Sequence, residues 1–524
     1  MLNNHETTSN STSDFDNTAS SNTFREMTEY DQMTSRPIPE LTSQGLNPDL
    51  FKERFREALF YVRDHIDEYV VNPGVDFSRN SIFDPVTLMT FLILMNDGAS
   101  ISEINKFFSM DDHKIPPYNS TFCEARKKLL PEALYAVFLR FTNSFPELKT
   151  FKGYRLIGID GSAINIPLNK NEPETLHQNK EDHKYFSQCY FNGAYDLLNA
   201  IYVDTIISTL KKTDERSAML EMAERPTLPN NSILICDRGY GGWRVYATLI
   251  NLGRKFIIRE IDTEKQGLFH SLNLSDKDEF DIVKTVILTN KQTKETLGNP
   301  ELYRLIMSNQ NFPFLDKENH YYEIKLRFVR KKVAPDKYIC IITNLLDQSE
   351  FTAEDLQYAY ALRWSHEGSY RIYKYTIGVL HFHARQFQKI KQELYAKMVE
   401  FNICQLIAGC VPMDDESNNL RVLTQEEYLK TCRMLEDNAK DSLPETDPDV
   451  EVIEDPEHPN QKKYRYKPNL SAAITNIKEF LRGKGNSEIL ILRIKRYLVP
   501  IRPGRSFSRN VKPQSATTLL YRAS

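Results

Sequence analysis

The chain is 524 residues long, and its 67 Lys and Arg against 71 Asp and Glu leave a net charge of −4. That balance excludes a uniformly basic nucleic-acid coat, while the length allows several domains with a buried core. The longest strongly apolar run, around Leu88–Met95, falls far short of the ~20 residues a membrane helix needs, so no membrane association is expected.

Residues 1–23 contain 15 Ser, Thr or Asn. Such a segment buries too little apolar area to offset its chain entropy, so residues 1–45 read as a disordered polar tail. Met1–Asn10 has neither a basic start nor an apolar run, and no signal peptide is expected. From Asn47 the sequence LFKERFREALFYVRDHIDEYV repeats apolar residues every three or four positions, which predicts a helix. Two shorter helical patterns follow, SISEINKFF and STFCEARKKLL, separated by Pro116 and Pro117, with Ser120 or Thr121 as the expected cap of the second.

The pattern changes at Tyr154. YRLIGIDGSAINIP reads as an apolar strand ending in a turn, and QCYFNGAYD and NAIYVDTIIS read as antiparallel neighbours. A helix containing Arg216–Ala223, the strand SILICD, the helix WRVYATLINL closed by Gly253, and the strand KFIIREI complete an alternating α/β pattern. Residues 262–335 break the rhythm with β-like runs such as FDIVKTVIL and YYEIKLRFVRKKV, and read as a β-rich insertion. The pattern resumes with YICIITNL and a long helical region from about Thr352 to Ile407. Residues 411–460 then carry a net charge of −11, and the chain from Lys462 onward carries +13. The whole-chain balance therefore hides an acidic segment beside a basic tail that it is expected to shield. Cys123, Cys189, Cys236, Cys340, Cys404, Cys410 and Cys432 form no CxxC pair, which favours reduced thiols over a disulfide framework or a structural zinc site.

Three carboxylates stand out. Asp160 and Asp237 each follow an apolar strand run and precede glycine-containing turns, so two adjacent strands can bring both to one point. Paired carboxylates repel unless protons or metal ions compensate them, and hard oxygen donors suit Mg²⁺ or Mn²⁺. The third element is Tyr360, Arg363, Glu367 and Lys374, whose spacings of 3, 4 and 7 predict a single helix stripe. A carboxylate between two cations and a phenol suits the holding of metal beside phosphates. Taken singly, each element has an ordinary explanation, a turn cap or a solvated salt-bridge stripe. Their occurrence together in this order is what points to chemistry.

These residues also carry a resemblance. Tyr360-x2-Arg363-x3-Glu367-x6-Lys374, DRGYGGWRVYATLINLGRKFIIRE from Asp237, and IDGSAINIP around Asp160 together resemble the DDE transposases of bacterial insertion sequences, the group marked by a Y-x2-R-x3-E-x6-K signature. The likeness runs from about Leu46 to Gln405 and includes the tail motif RSFSRNVKP. It implies a ribonuclease-H-like mixed sheet flanked by helices, split into 151–261 and 336–410 by the insertion at 262–335. A helical DNA-end-binding region at 46–150 would precede it, and the acidic segment 411–460 and a basic helical region at 461–524 would follow. Asp160, Asp237 and Glu367 would hold two Mg²⁺ ions, with Mn²⁺ as a substitute, for phosphoryl transfer on DNA. Tyr360, Arg363, Lys374, Arg238 and Tyr240 would contact DNA near the cleaved end. The implied partners are double-stranded DNA with terminal inverted repeats, target DNA, and further copies of the chain in a dimer or larger synaptic complex. The implied location is a bacterial cytoplasm, on nucleoid DNA.

Further DNA contacts are expected from Arg126, Lys127 and Lys128 if the two short helices form a helix-turn-helix, and from the cluster Arg327, Arg330, Lys331 and Lys332 in the insertion. Arg493, Lys495, Arg496, Arg502, Arg505 and Arg509 are expected to touch backbone phosphates. The group's best-known member stacks a flipped base on a tryptophan of its insertion. Here Trp243 and Trp364 both lie outside 262–335, which leaves Phe269, Phe280, Phe312, Phe314 and Tyr322 as stacking candidates. His183, His366, His381 and His383 read as packing or surface residues, and Ser162 has no catalytic partner visible from spacing.

Overall fold

A computed structural model describes residues 46–109, 115–146, 148–178, 184–209, 214–261, 267–275, 277–307, 312–334, 337–411, 452–454, 462–464 and 466–500. The tail 1–45, most of the acidic segment 411–460, His183 and the tail motif with Arg502, Arg505 and Arg509 lie outside the described residues.

Five helices open the described chain: α1 (Pro48–Asp64), α2 (Pro85–Leu94), α3 (Ser100–Phe108), α4 (Asn119–Lys128) and α5 (Pro131–Thr142). Asn47 and Asp84 cap α1 and α2 by accepting from the backbone N–H groups of Leu50 and Thr87, and a proline follows each cap where its missing N–H costs nothing. α4 begins at Asn119 behind Tyr118 and has no side-chain cap, so the cap expected from Ser120 or Thr121 is not formed.

Ten strands build one mixed sheet. They are β1 (Arg155–Ile166), β2 (Leu176–His177), β3 (Phe186–Asp196), β4 (Ile201–Ser208), β5 (Ser232–Cys236), β6 (Lys255–Glu260), β7 (Phe280–Thr289), β8 (Tyr303–Leu305), β9 (Tyr321–Ala334) and β10 (Lys337–Thr343). The order is β2-β3-β1-β5-β6-β10-β9-β7-β8, with β4 paired to β3. β3 is antiparallel to β1 and β4, as the short connection predicts, while β5 is parallel to both β1 and β6. The strands of the insertion do not stand apart from the core. β9 pairs with β10 from Arg327↔Thr343 to Lys332↔Tyr338, so β7, β8 and β9 extend the core sheet and cover an edge that would otherwise be open.

Between the strands lie α6 (Glu215–Glu224), α7 (Trp243–Asn251) and the short α8 (Leu268–Ser271) and α9 (Lys294–Gly298). After β10 come α10 (Ala353–Ala361), α11 (Trp364–Arg371), a π-helical turn at Ile372–Thr376, and α12 (Phe387–Gly409). The two sheet faces carry separate cores. Leu156, Ile164, Phe191, Ile233 and Ile235 pack with the N-terminal helices, α10 and α12, whereas Ile157, Ile159, Leu234 and Cys236 pack with α6 and α7.

The C-terminal part comprises β11 (Val452–Glu454), β12 (Lys462–Tyr464), β13 (Tyr466–Pro468), α13 (Leu470–Leu481), α14 (Ser487–Arg496) and β14 (Leu498–Pro500). β11 pairs with β12, so the boundary expected at 460/461 falls inside a hairpin. α13 is not a free basic arm. Ile474, Ile477 and Phe480 are buried, and Glu400 of α12 binds both Lys478 and Lys397 at 2.7 Å.

Candidate active site

The alternation of β1 and β5 fixes where the two aspartates point. Ile157 and Ile159 face the α6–α7 core, so Asp160 faces the opposite side; Cys236 faces the α6–α7 core, so Asp237 also faces away from it. The two strands are parallel with Gly158 level with Ile235, and two residues further the same register puts Asp160 level with Asp237. Both carboxylates therefore leave one face of the sheet side by side.

α11 brings the third. Gly158 permits its approach, because a Cβ there would lie 2.9 Å from Leu197 Cδ2 and 3.4 Å from His366 Nδ1. Tyr370, one turn after Glu367, donates its hydroxyl to the Asp160 carbonyl at 2.6 Å and pins the helix to β1. His366 is fully buried between the rings of Tyr195 and Tyr370, at centroid distances of 5.1 and 4.9 Å. Burial, then the Arg363 charge, push its pKa down to about 3, so it is a neutral packing residue.

The predicted stripe is not one regular helix. α10 ends at Ala361, and the bonds Arg363 N→Tyr360 O, Ser365 N→Leu362 O and His366 N→Arg363 O tighten the chain into i+3 turns. Beyond α11 the chain loosens instead, with Ile377 N bonding Ile372 O across the π turn that carries Lys374. The overwound and underwound turns flank Glu367. Arg363 sits at the kink, almost completely buried, with its guanidinium 3.8 Å from Glu367.

The site's electrostatics tie these groups together. Burial is the largest cause that pushes the Asp160 carboxyl up to about 7; Asp237 and Glu367 push the same way, while Arg363 and the Gly161 N–H oppose them. Burial works against the Arg363 charge, yet Tyr360, Asp160, Glu367 and Asp237 outweigh it and hold the guanidinium above its usual range. Three carboxylates and one arginine thus share one electrostatic neighbourhood. Among the described residues no three acidic, His or Cys side chains close into a compact ligand cluster, and Glu367 lies 3.8 Å from Arg363. The donor set is all oxygen, and a carboxyl raised to about 7 by burial and like charge is what a divalent cation would ionise.

Residues 151–403 match the transposase DDE domain family. The matched span contains Asp160, Asp237 and Glu367. No curated protein matches the chain. A similar solved structure is that of the piggyBac transposase synaptic complex with hairpin DNA, at 9% identity and a TM-score of 0.37, covering 89% of this chain and 89% of that one.

Around the three carboxylates the other expected residues divide. Tyr360 is buried and its hydroxyl has no hydrogen-bond partner among the described residues. Lys374 reaches back to β1 and donates to Ser162 Oγ at 2.7 Å. Arg238 is exposed beside Asp237, while Tyr240 is only 1% exposed. Arg126 departs from the exposed position expected of it. It is buried, donating to Glu393 at 2.7 Å and Gln392 at 2.8 Å, because α4 packs against α12 instead of presenting its whole basic end to solvent. Lys127 and Lys128 are exposed, Lys127 paired with its neighbour Glu124. Arg327 is fully buried against Asp281, and Arg330 stacks 3.7 Å over Tyr338.

Reading by sequence missed three supports of the site. Tyr370 was findable, being three residues from Glu367 on the same helix face. Arg216 donates to the Gly239 carbonyl at 2.7 Å and braces the turn after Asp237, and Tyr190 on β3 donates to Glu215. A cavity of about 420 Å³ opens beside this turn, lined by Arg216, Ser217, Trp243, Arg244, Ile306 and Phe312. Of the aromatic candidates in the insertion, Phe312 lines this cavity together with Trp243 of the core, while Phe269 is buried against Phe280 and Phe328.

Proposed function

We propose that this chain is a DNA transposase that binds the terminal inverted repeats of an insertion element and carries out divalent-metal-dependent strand cleavage and strand transfer. The observation that carries the reading is the shared electrostatic neighbourhood of Asp160 on β1, Asp237 just past the end of the parallel β5, and Glu367 on α11, the helix tied to β1 through the Tyr370–Asp160 bond. The strand set β4-β3-β1-β5-β6, three antiparallel strands followed by two parallel ones, supports a ribonuclease-H-like core.

Asp160, Asp237 and Glu367 would hold Mg²⁺ or Mn²⁺, which when bound supply charge to activate the attacking oxygen and stabilise the leaving one. The chain's own groups position the DNA. Arg363, whose charge is held in place by the carboxylates, offers a planar donor set to a phosphate, and Tyr360 has a hydroxyl free to donate. Arg238, Lys127 and Lys128 supply exposed charge to the backbone. The cavity between Trp243 and Phe312, edged by Arg216 and Arg244, suits an unstacked base and its phosphate, so the absence of tryptophan from the insertion does not remove a stacking surface. The enzyme would act as a dimer or larger synaptic complex on nucleoid DNA.

The test separates a transposase from a plain nuclease. A pre-cut duplex ending in the element's terminal repeat, given Mg²⁺ and a target plasmid, should become covalently joined to the plasmid. Cleavage without any joined product would replace this reading with a metal-dependent nuclease.

A further inference from the structure

Lys374 and Arg363 belong to the same sequence pattern but occupy different electrostatic surroundings. Arg363 feels Asp160, Glu367 and Asp237, whereas the titration of Lys374 is set by burial and by Cys189. The difference has a geometric cause. Ser162 follows Asp160 by two positions on β1, so the two side chains leave the same face of the sheet, ~7 Å apart at ~3.4 Å per residue. Lys374 reaches Ser162 and not the carboxylates. Its Nζ donates to Ser162 Oγ at 2.7 Å and to the Ala163 carbonyl at 2.9 Å.

An ammonium has three N–H donors, so two are taken by β1 and one remains for a ligand. A lysine is ordinarily a mobile point charge on a flexible stem. Here the stem starts from the π turn at Ile372–Thr376 and ends on two fixed acceptors of a strand whose other end is pinned by the Arg155–Asp196 ion pair at 2.6 Å. The result is a fixed positive charge one side-chain step along the strand from the reacting position.

We propose that Ser162, with the Ala163 carbonyl, is a positioning residue that fixes the Lys374 ammonium for the DNA phosphate neighbouring the one that reacts at Asp160. This deepens the transposase reading and rests on it. Ser162 touches no reacting atom; it acts through Lys374.

The experiment has two arms. In the first, single-turnover cleavage is measured on end duplexes carrying one uncharged methylphosphonate at each phosphate flanking the scissile position. The wild-type protein should lose about tenfold at one flanking position, the size of a lost charge-assisted contact. Ser162→Ala should lose about as much on ordinary DNA and become insensitive to that methylphosphonate, and Ser162→Thr, which keeps the hydroxyl, should restore both. Wild-type cleavage by Ser162→Ala, or undiminished sensitivity to the methylphosphonate, would overturn the proposal. In the second arm, acetylation of Lys374 in the DNA-free protein is followed by mass spectrometry. It should be several-fold faster in Ser162→Ala than in wild type, with Lys389 unchanged as the internal control for folding. An unchanged Lys374 rate overturns the proposal without reference to DNA. If the wild-type protein cleaves no DNA, the transposase reading fails by itself, and the acetylation arm still decides whether Ser162 holds Lys374.

Discussion

Asp160 on β1 and Asp237, the first residue past the end of the adjacent parallel strand β5, share one electrostatic neighbourhood, with Arg363 as the buried cation that bears on both. Carboxylates gathered where water is excluded repel one another unless a proton or cation compensates them.

That tension has a measurable sign. Asp160 has its pKa raised from 3.8 to about 7 in the folded protein. A raised carboxyl contributes to stability fully below the unfolded value and loses that contribution as pH rises through the folded one. The metal-free protein should therefore be more stable at pH 5 than at pH 8 as far as this group is concerned. Asp160→Asn, which removes the charge, should be more stable than wild type at pH 8 by a few kcal/mol, since each tenfold change in an ionisation equilibrium corresponds to about 1.4 kcal/mol. Urea unfolding in the presence of a chelator checks this. A variant less stable than wild type at pH 8 would show that the carboxylates are not in conflict.

The buried Arg126–Glu393 pair separates folding from DNA binding among three adjacent basic residues. Arg126→Ala leaves Glu393 without its cation, and loss of about 3–5 kcal/mol is expected from breaking a buried pair. Lys127→Ala should change stability by less than about 0.5 kcal/mol and reduce the salt slope of DNA binding by about one. Unfolding curves and salt-dependent binding isotherms read the two effects. The reverse pattern would restore Arg126 to the DNA-binding surface.

Gly161 is the glycine of the site that a side chain would most directly disturb. A Cβ there would lie 2.8 Å from Tyr190 Oη and 2.9 Å from Asn192 Oδ1, and Tyr190 is held by its bond to Glu215. Gly161→Ala must displace the Tyr190 and Asn192 side chains next to Asp160, an overpacking expected to cost about 1–3 kcal/mol. Cleavage should fall at least tenfold, because reacting groups tolerate little displacement. A normal cleavage rate in the folded variant would mean that Asp160 is not held by this strand pair.

Much of this site is legible in the sequence, for a physical reason. Strand alternation is a local rule, so the apolar runs before Asp160 and Asp237 let the sheet face of each be anticipated, but β1 runs on through Gly161 and Ser162 to Ile166 where the sequence predicts a turn, so Asp160 sits in mid-strand and only Asp237 at a strand end. The helical spacing of Tyr360, Arg363, Glu367 and Lys374 is equally visible, but spacing alone cannot distinguish a regular helix from one tightened at Arg363 and loosened at Lys374. Partners far apart in sequence are not legible. Nothing near Arg126 announces Glu393, and nothing near Ser162 announces Lys374, so local pattern assigns the first to DNA and gives the second no partner. The insertion illustrates the same limit. The composition of β7 and β9 identifies them as strands but not the sheet they join.

Asp160, Asp237 and Glu367 are proposed to form one metal-dependent DNA-cleaving centre. The most direct test is the rate at which Asp160→Asn, Asp237→Asn and Glu367→Gln cleave a duplex carrying the element's terminal repeat in Mg²⁺, with binding of that duplex measured in parallel. Each variant should bind the DNA yet cleave at least ~1,000-fold more slowly than wild type, comparable to the loss of a major stabilising group in an active site. Wild-type cleavage by all three variants would contradict a shared centre.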